Sequence, residues 1–294
     1  MSESLAPLAV AVPAEPRAQT SGQRWRRRYG LAAIGAAIIL TWIVVALAAP
    51  LLAHYPPHAV DVTVRLLPPS AAHWLGTDPL GRDVYSRLLF GARVSLFAGI
   101  TVVVLGAIFG TLLGGVAAYA GGKIEEGLMR FTDLMLCFPP IILAMAIAAA
   151  MGIGTVNTMI AMLIVWWPKF ARLARSLVLV QRSQEYVEAA HLIGYGPGRV
   201  LLKHILPNSI GPLIVLVTLD VGHAIIVFAG LSFLGLGVVP PTPEWGAMVS
   251  ENRELVEQWW GATFPGLAIL TVVMGFNFLG DGIRDWLDPR ARRR

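Results

Sequence analysis

Residues 31–53 read LAAIGAAIILTWIVVALAAPLLA, 23 consecutive residues without a charge. At about 1.5 Å of rise per residue, a helix of this length covers a hydrocarbon core of about 30 Å. Arg24, Arg26, Arg27 and Arg28 precede the run, and Ala46-Leu47-Ala48 resembles a cleavage site, so a signal peptide is the competing reading. A signal core has only about 7 to 15 apolar residues, and the longer run favours a retained membrane helix.

The remainder of the chain carries the same signature. Of its 294 residues, 56% are hydrophobic and 14% charged, against about 45 to 50% and about 25% in soluble domains. That balance excludes a disordered chain, and the single Cys137 excludes an internal disulfide framework. Further runs with little or no charge lie at about 94–119, 134–153, 155–168, 208–231 and 262–280, so six spans are expected. Gly106, Gly110 and Gly114 fall four apart on one face of the second run, the spacing that lets two helix backbones approach closely in lipid.

Counted on a six-span layout, 18 of the 23 Lys and Arg residues fall on one side. Positive residues favour the cytoplasmic face, so both termini are expected in the cytoplasm. The net charge of +5 then reflects topology, and no aromatic and basic segment resembles a nucleic-acid module.

Sources of chemical energy are missing. Gly122-Lys123 is followed by Ile124 and lacks the hydroxyl of a phosphate loop, and neither H-E-x-x-H nor G-x-S-x-G is present. Asp133, Asp220, His223 and Asp281 are the ionisable groups placed at membrane depth. Asp220 and His223, three apart on one helical face, are candidates for the translocation pathway. They could form a proton relay in a secondary carrier, or a polar contact lining an aqueous cavity. The carrier reading lacks an internal repeat. A membrane-embedded enzyme is a further alternative, but the six histidines are scattered along the chain.

The segment 169–207 is long for a loop yet patterned as helix. Ala171, Ala174, Leu177 and Val178 are helically spaced, then come Glu185, Tyr186, Glu188, Ala189 and Ala190, and the chain turns at Gly194, Gly196, Pro197 and Gly198. Small residues at Ala189 and Ala190 let a second surface approach, and Glu188 offers it a carboxylate. A solvated amphipathic loop would carry the same letters.

Glu188-Ala189-Ala190, then Gly194, then Leu206-Pro207 resembles the EAA motif of bacterial ABC-importer permeases, with His204 where the family commonly has isoleucine. Gly76-Thr77-Asp78-Pro79-Leu80-Gly81-Arg82-Asp83-Val84 is similar to the external signature of the peptide and nickel branch, in its second-permease type. So are Leu231 to Gly237 with Pro240-Pro241-Thr242-Pro243, and Gly280-Asp281-Gly282-Ile283-Arg284-Asp285 with Leu287-Asp288-Pro289-Arg290.

The resemblance implies an all-α integral membrane protein whose last five helices form a type I ABC-importer permease core. It implies a bacterial inner-membrane location, a second homologous permease, two ATPase subunits and an external solute-binding protein. ATP and magnesium would bind in the ATPases, with no cofactor on this chain. Glu185, Tyr186, Glu188, Ala189, Ala190 and Gly194 would couple to the ATPases. The implied cargo is a peptide, a nickel chelate, glutathione or a related small solute. The expected organisation is a cytoplasmic tail at 1–28, a first helix and external loop at 29–93, a transport domain at 94–284 with its coupling loop at 169–207, and a basic cytoplasmic tail at 285–294. From the residues alone, Asp78, Arg82, Asp83 and Arg87 are spaced for local ion pairs on a short interfacial helix. After the proline run at 240–243, Glu244, Glu251, Glu254 and Glu257 would make an acidic external loop, either a face that receives a binding protein or a solvated one.

Overall fold

The computed structural model describes residues 21–287, with side chains from residue 30 onward. Residues 1–20 and 288–294, and with them most of the two expected tails including Asp288, Pro289 and Arg290, lie outside the described residues. Every element among the described residues is helical.

The elements are α1 (Ser21–Leu52), α2 (Val84–Ala120), α3 (Gly122–Cys137), α4 (Pro140–Met151), α5 (Thr155–Arg182) and α6 (Glu185–Leu192). Two short pieces follow, α7 (Pro197–Val200) and α8 (Leu206–Asn208), flanking a π-helical turn at Leu201–Ile205. The chain ends with α9 (Ile210–Phe233), α10 (Trp245–Asn252) and α11 (Trp260–Leu287).

By length and hydropathy, α1 from Gly30, α2, α9 and α11 qualify as membrane spans. The pair α3 and α4 passes only as one broken span, bent by 91° where Phe138 and Pro139 separate the two helices. Consecutive prolines at that break explain it, because neither Pro139 nor Pro140 can donate a helical hydrogen bond. The expected fourth span does not qualify. α5 has its 28 residues, but Lys169, Arg172, Arg175 and Arg182 occupy its second half. By length and composition alone, the described residues give four candidate spans, or five with the bent pair.

Helix α2 is longer than expected, starting at Val84 rather than about 94, and at about 1.5 Å per residue its 37 residues reach about 55 Å. It forms the centre of the bundle. α5 and α9 pack against it, α1 packs on α11, and α10 wedges between α9 and α11 at one end. The core between them is built from Val102, Val103, Met162, Trp166, Phe170, Ile225, Phe228, Trp245 and Val272.

The glycine stripe of α2 faces α5, as its spacing implies. A β-carbon at Gly110 would strike the Trp167 carbonyl, and one at Gly114 would strike the Ala171 carbonyl. In lipid, association rests on such close packing, because moving a leucine from lipid to a helix interface removes little water-exposed apolar surface. The same reasoning accounts for Leu47, Leu51 and Phe97, which are 65 to 88% exposed on the outside of the chain.

A second, smaller core lies at the end of the bundle opposite α10. Ala118, Val178, Val187, Ala190, Val200, Leu201 and Ile205 close it, joining α2 and α5 to α6 and α7.

Candidate functional site

Three places bring together the residues that the sequence singles out. The first is α6 and its turn. Glu185 and Glu188 lie in its first turn, where carboxylates complement the positive end of the helix dipole. Val187 and Ala190 point into the small core, while Glu185, Tyr186, Glu188 and Ala189 are exposed. The expectation that both alanines admit a second surface is therefore corrected. Ala190 is 5% exposed and packs inward, so Ala189 alone is open.

Sequence reading missed Leu192 and Ile193 as a surface. They are 89% and 73% exposed at the tip of α6, an apolar pair just before the glycine turn. Gly194 takes a left-handed conformation at φ 89°, which a residue with a β-carbon adopts only with strain. Its N–H donates to the His191 carbonyl at 2.9 Å, and the Tyr195 N–H returns to the Ala190 carbonyl at 3.1 Å. The elbow is braced from three sides. Tyr119 Oη of α2 lies 3.1 Å from His191 Nε2, Tyr186 Oη donates to Gln181 Oε1 at 2.9 Å, and His204 stacks on Tyr195, whose ring also carries the Arg199 guanidinium.

The second place lies midway along the bundle. Asp220 does not pair with His223. Its carboxylate accepts from Lys169 Nζ at 2.7 Å and from Trp166 Nε1 at 2.7 Å. The Lys169 ammonium also sits 4.1 Å from the centre of the Trp166 ring, and His223 lies beside that ring with centroids 5.4 Å apart. Asp220 is buried, whereas His223 is exposed.

The helix continues through Lys169, the expected start of the coupling loop, to Arg182. The signal was present in Ala171, Ala174 and Val178, all buried and in helical register with the glycine stripe. A lysine or aspartate at the centre of a span costs about 2.5 to 3.5 kcal/mol on insertion scales, and mutual pairing offsets part of that.

The third place is the end that carries α10. Asp78 and Arg82 form the expected local pair, at 2.6 Å, but in a buried loop rather than on an interfacial helix. Asp78 Oδ1 also accepts from the backbone N–H groups of Leu80 and Arg82. Gly81, at φ 73°, closes this turn, and a β-carbon there would strike the Asp61 carbonyl. Asp83 caps α2, accepting from Ser86 N at 2.8 Å, and its other oxygen lies 2.9 Å from His73 Nδ1. Arg82 and Arg87, both about 98% buried, converge on Glu251 of α10 at 2.7 and 3.0 Å.

The acidic face expected at 244–257 is therefore corrected. Glu251 is consumed by two arginines, and Glu244 is fully buried as the cap of α10, accepting from Ser95 Oγ and from Ala247 N. Burial pushes the Glu244 carboxyl above its ordinary range, against the hydrogen bonds it accepts. Glu254 and Glu257 remain exposed.

Residues 106–293 match the family described as binding-protein-dependent transport system inner membrane component. Residues 23–69 match the N-terminal transmembrane domain of oligopeptide transport permease C. The chain is 47% identical over 262 residues to the "Probable D,D-dipeptide transport system permease protein DdpC" of Escherichia coli (strain K12), covering 89% of this chain and 88% of that protein. It is 43% identical to the dipeptide transport system permease protein DppC of Alkalihalophilus pseudofirmus, over 99% of both chains. It is 45% identical to the glutathione transport system permease protein GsiD of Escherichia coli O6:K15:H31, over 91% of this chain and 90% of that one.

Proposed function

Because this chain belongs to the family of binding-protein-dependent transport system inner membrane components, we propose that it forms half of an ATP-driven import pathway for small peptides. It is a permease subunit of an ABC importer and not an enzyme, and the ATPase activity of such importers lies in separate subunits. Its relatives are named for dipeptide, D,D-dipeptide and glutathione transport, all peptides or peptide-like solutes, and that shared chemistry supports the cargo class.

The single observation that carries the mechanical reading is the elbow at α6. Its inward face is fixed to the ends of α2 and α5, while its outward face presents carboxylates followed by the bare pair Leu192 and Ile193. An apolar pair rimmed by charge suits a protein surface, and here that surface belongs to an ATPase subunit on the cytoplasmic side. The excess of positive residues on the α6 side supports placing both termini in the cytoplasm of a bacterial cell, with this chain in its inner membrane.

A second, homologous permease completes the pathway, and two ATPase subunits bind ATP and magnesium. A solute-binding protein delivers cargo at the α10 end. Closure of the ATPases displaces the elbow. Because α6 is joined to α2 and α5 through a packed core, the displacement moves those helices as rigid bodies and alternates access to the pathway.

Native mass spectrometry of the intact assembly, extracted in mild detergent with its chromosomal neighbours co-expressed, tests this. One copy of this chain with a different permease and two ATPases is the expected composition. A lone monomer or homodimer, persisting when crosslinking precedes extraction, would count against it.

A further inference from the structure

Asp220 lies about midway along α9, which qualifies as a membrane span, and Lys169 of α5 donates to it at 2.7 Å, so the ammonium is near mid-membrane. Its side chain is 29% exposed on the outer face of the chain, against 9% for that of Asp220 behind it. His223 is exposed beside the same tryptophan. An ammonium and an imidazole at this depth do not face lipid, so the α5 and α9 face that carries them borders an aqueous route or the partner permease.

The cluster has a polarity. The exposed Lys169 ammonium is a donor only and the exposed His223 ring can offer an N–H, whereas the Asp220 carboxylate is buried. If the ammonium leaves Asp220, that carboxylate keeps the Trp166 Nε1 donor at 2.7 Å, and the ammonium retains its place over the Trp166 ring at 4.1 Å. These contacts hold both groups in place during the exchange, and the new ion pair must offset the loss of the Asp220 carboxylate's cation. The accessible side of the pair is thus complementary to a second carboxylate.

Building on the peptide reading above, we infer that Lys169 is a specificity-determining residue that exchanges Asp220 for the free carboxylate of the cargo in mid-membrane. The step is an exchange of ion-pair partners and makes or breaks no covalent bond. Asp220 and Trp166 position the ammonium, and His223 stands as a second donor on the same face.

The test uses the complete importer in proteoliposomes, with its binding protein preloaded with L-alanyl-L-alanine, D-alanyl-D-alanine or their C-terminal amides. Uptake of free acid relative to amide is compared between wild type and the double variant Lys169→Met/Asp220→Asn, which removes both charges and leaves no buried ion unpaired. Lys169→Gln, which keeps an amide donor towards Asp220, is measured beside it, so that a folding failure in one leaves the other to decide. A purely structural pair predicts that the acid-to-amide ratio stays at its wild-type value. Loss of one charge-assisted hydrogen bond predicts a fall of about tenfold. A fall of less than about fivefold in the variants overturns the inference while leaving the importer reading intact. Absence of uptake of every probe by the wild-type assembly would instead overturn the peptide reading, and this inference with it.

Discussion

Arg82 Nη2 lies 2.7 Å from Glu251 Oε2, joining a loop before the central helix to α10, 169 residues away in sequence. Arg87 reaches the same oxygen at 3.0 Å, so one carboxylate holds two guanidinium groups that are almost fully buried. The pair ties the start of α2 to the segment wedged between α9 and α11. It makes the α10 end of the molecule a rigid unit rather than a set of loops.

Removing the shared carboxylate should therefore be costly. Glu251→Ala leaves Asp78 alone to balance two buried guanidinium groups and is expected to destabilise the chain by about 3 kcal/mol. Glu251→Gln, which keeps an acceptor oxygen, should cost less. Unfolding in detergent by denaturant titration measures both, and equal stability of wild type and alanine variant would refute the latch.

Packing between α2 and α5 gives a sharper contrast. Gly114→Val places its side chain on the Ala171 backbone, which cannot retreat without separating the helices, and should cost about 1 to 3 kcal/mol or more. At the adjacent Gly115 the nearest atom to an added β-carbon is Leu206 Cδ2 at 3.5 Å, an ordinary contact. Gly115→Ala is expected to be neutral or to stabilise by up to about 1 kcal/mol, because alanine is the better helix former. Thermal unfolding of the two variants in one detergent distinguishes a stripe at the interface from a stripe facing lipid.

Glu244 predicts a pH dependence. Its carboxyl is raised above the ordinary value of 4.5 by burial, so the folded chain holds that proton more tightly than the unfolded chain does. Its contribution to stability is complete below 4.5 and declines as pH rises through the raised folded value. Glu244→Gln should remove that decline. Unfolding midpoints collected between about pH 4 and about pH 8 should fall less steeply in the variant, and superimposable slopes would show that Glu244 does not titrate in this range.

Much of the architecture was legible because lipid imposes one rule on every span. Long uncharged runs such as 31–53 had to become helices, and the spacing of Gly106, Gly110 and Gly114 announced a close crossing. The fourth span was less readable. Its apolar stretch stops at Pro168, yet the helix runs on, because Lys169 finds Asp220 on a neighbouring helix and its charge no longer marks a boundary. Tertiary pairing of this kind has no local signal.

The same limit applied at both ends of the bundle. Spacing pairs Arg82 with Asp78, four residues away, but its second partner Glu251 leaves no local signal. Glu244 and Glu251 looked like solvated acids because nothing local reveals that α10 folds back between α9 and α11. In the elbow, the division between inward Ala190 and outward Ala189 depends on the small core beneath them.

The central claim is that the elbow transmits work between ATP hydrolysis and the pathway, with Glu188 on its exposed face. Simultaneous measurement of ATP hydrolysis and peptide uptake in proteoliposomes, for the wild-type importer and for Glu188→Lys, tests it most directly. The account predicts a variant that inserts and folds normally but loses at least about tenfold of its uptake per ATP hydrolysed, as expected when one charge-assisted contact is reversed. Wild-type uptake per ATP in that variant would contradict the account.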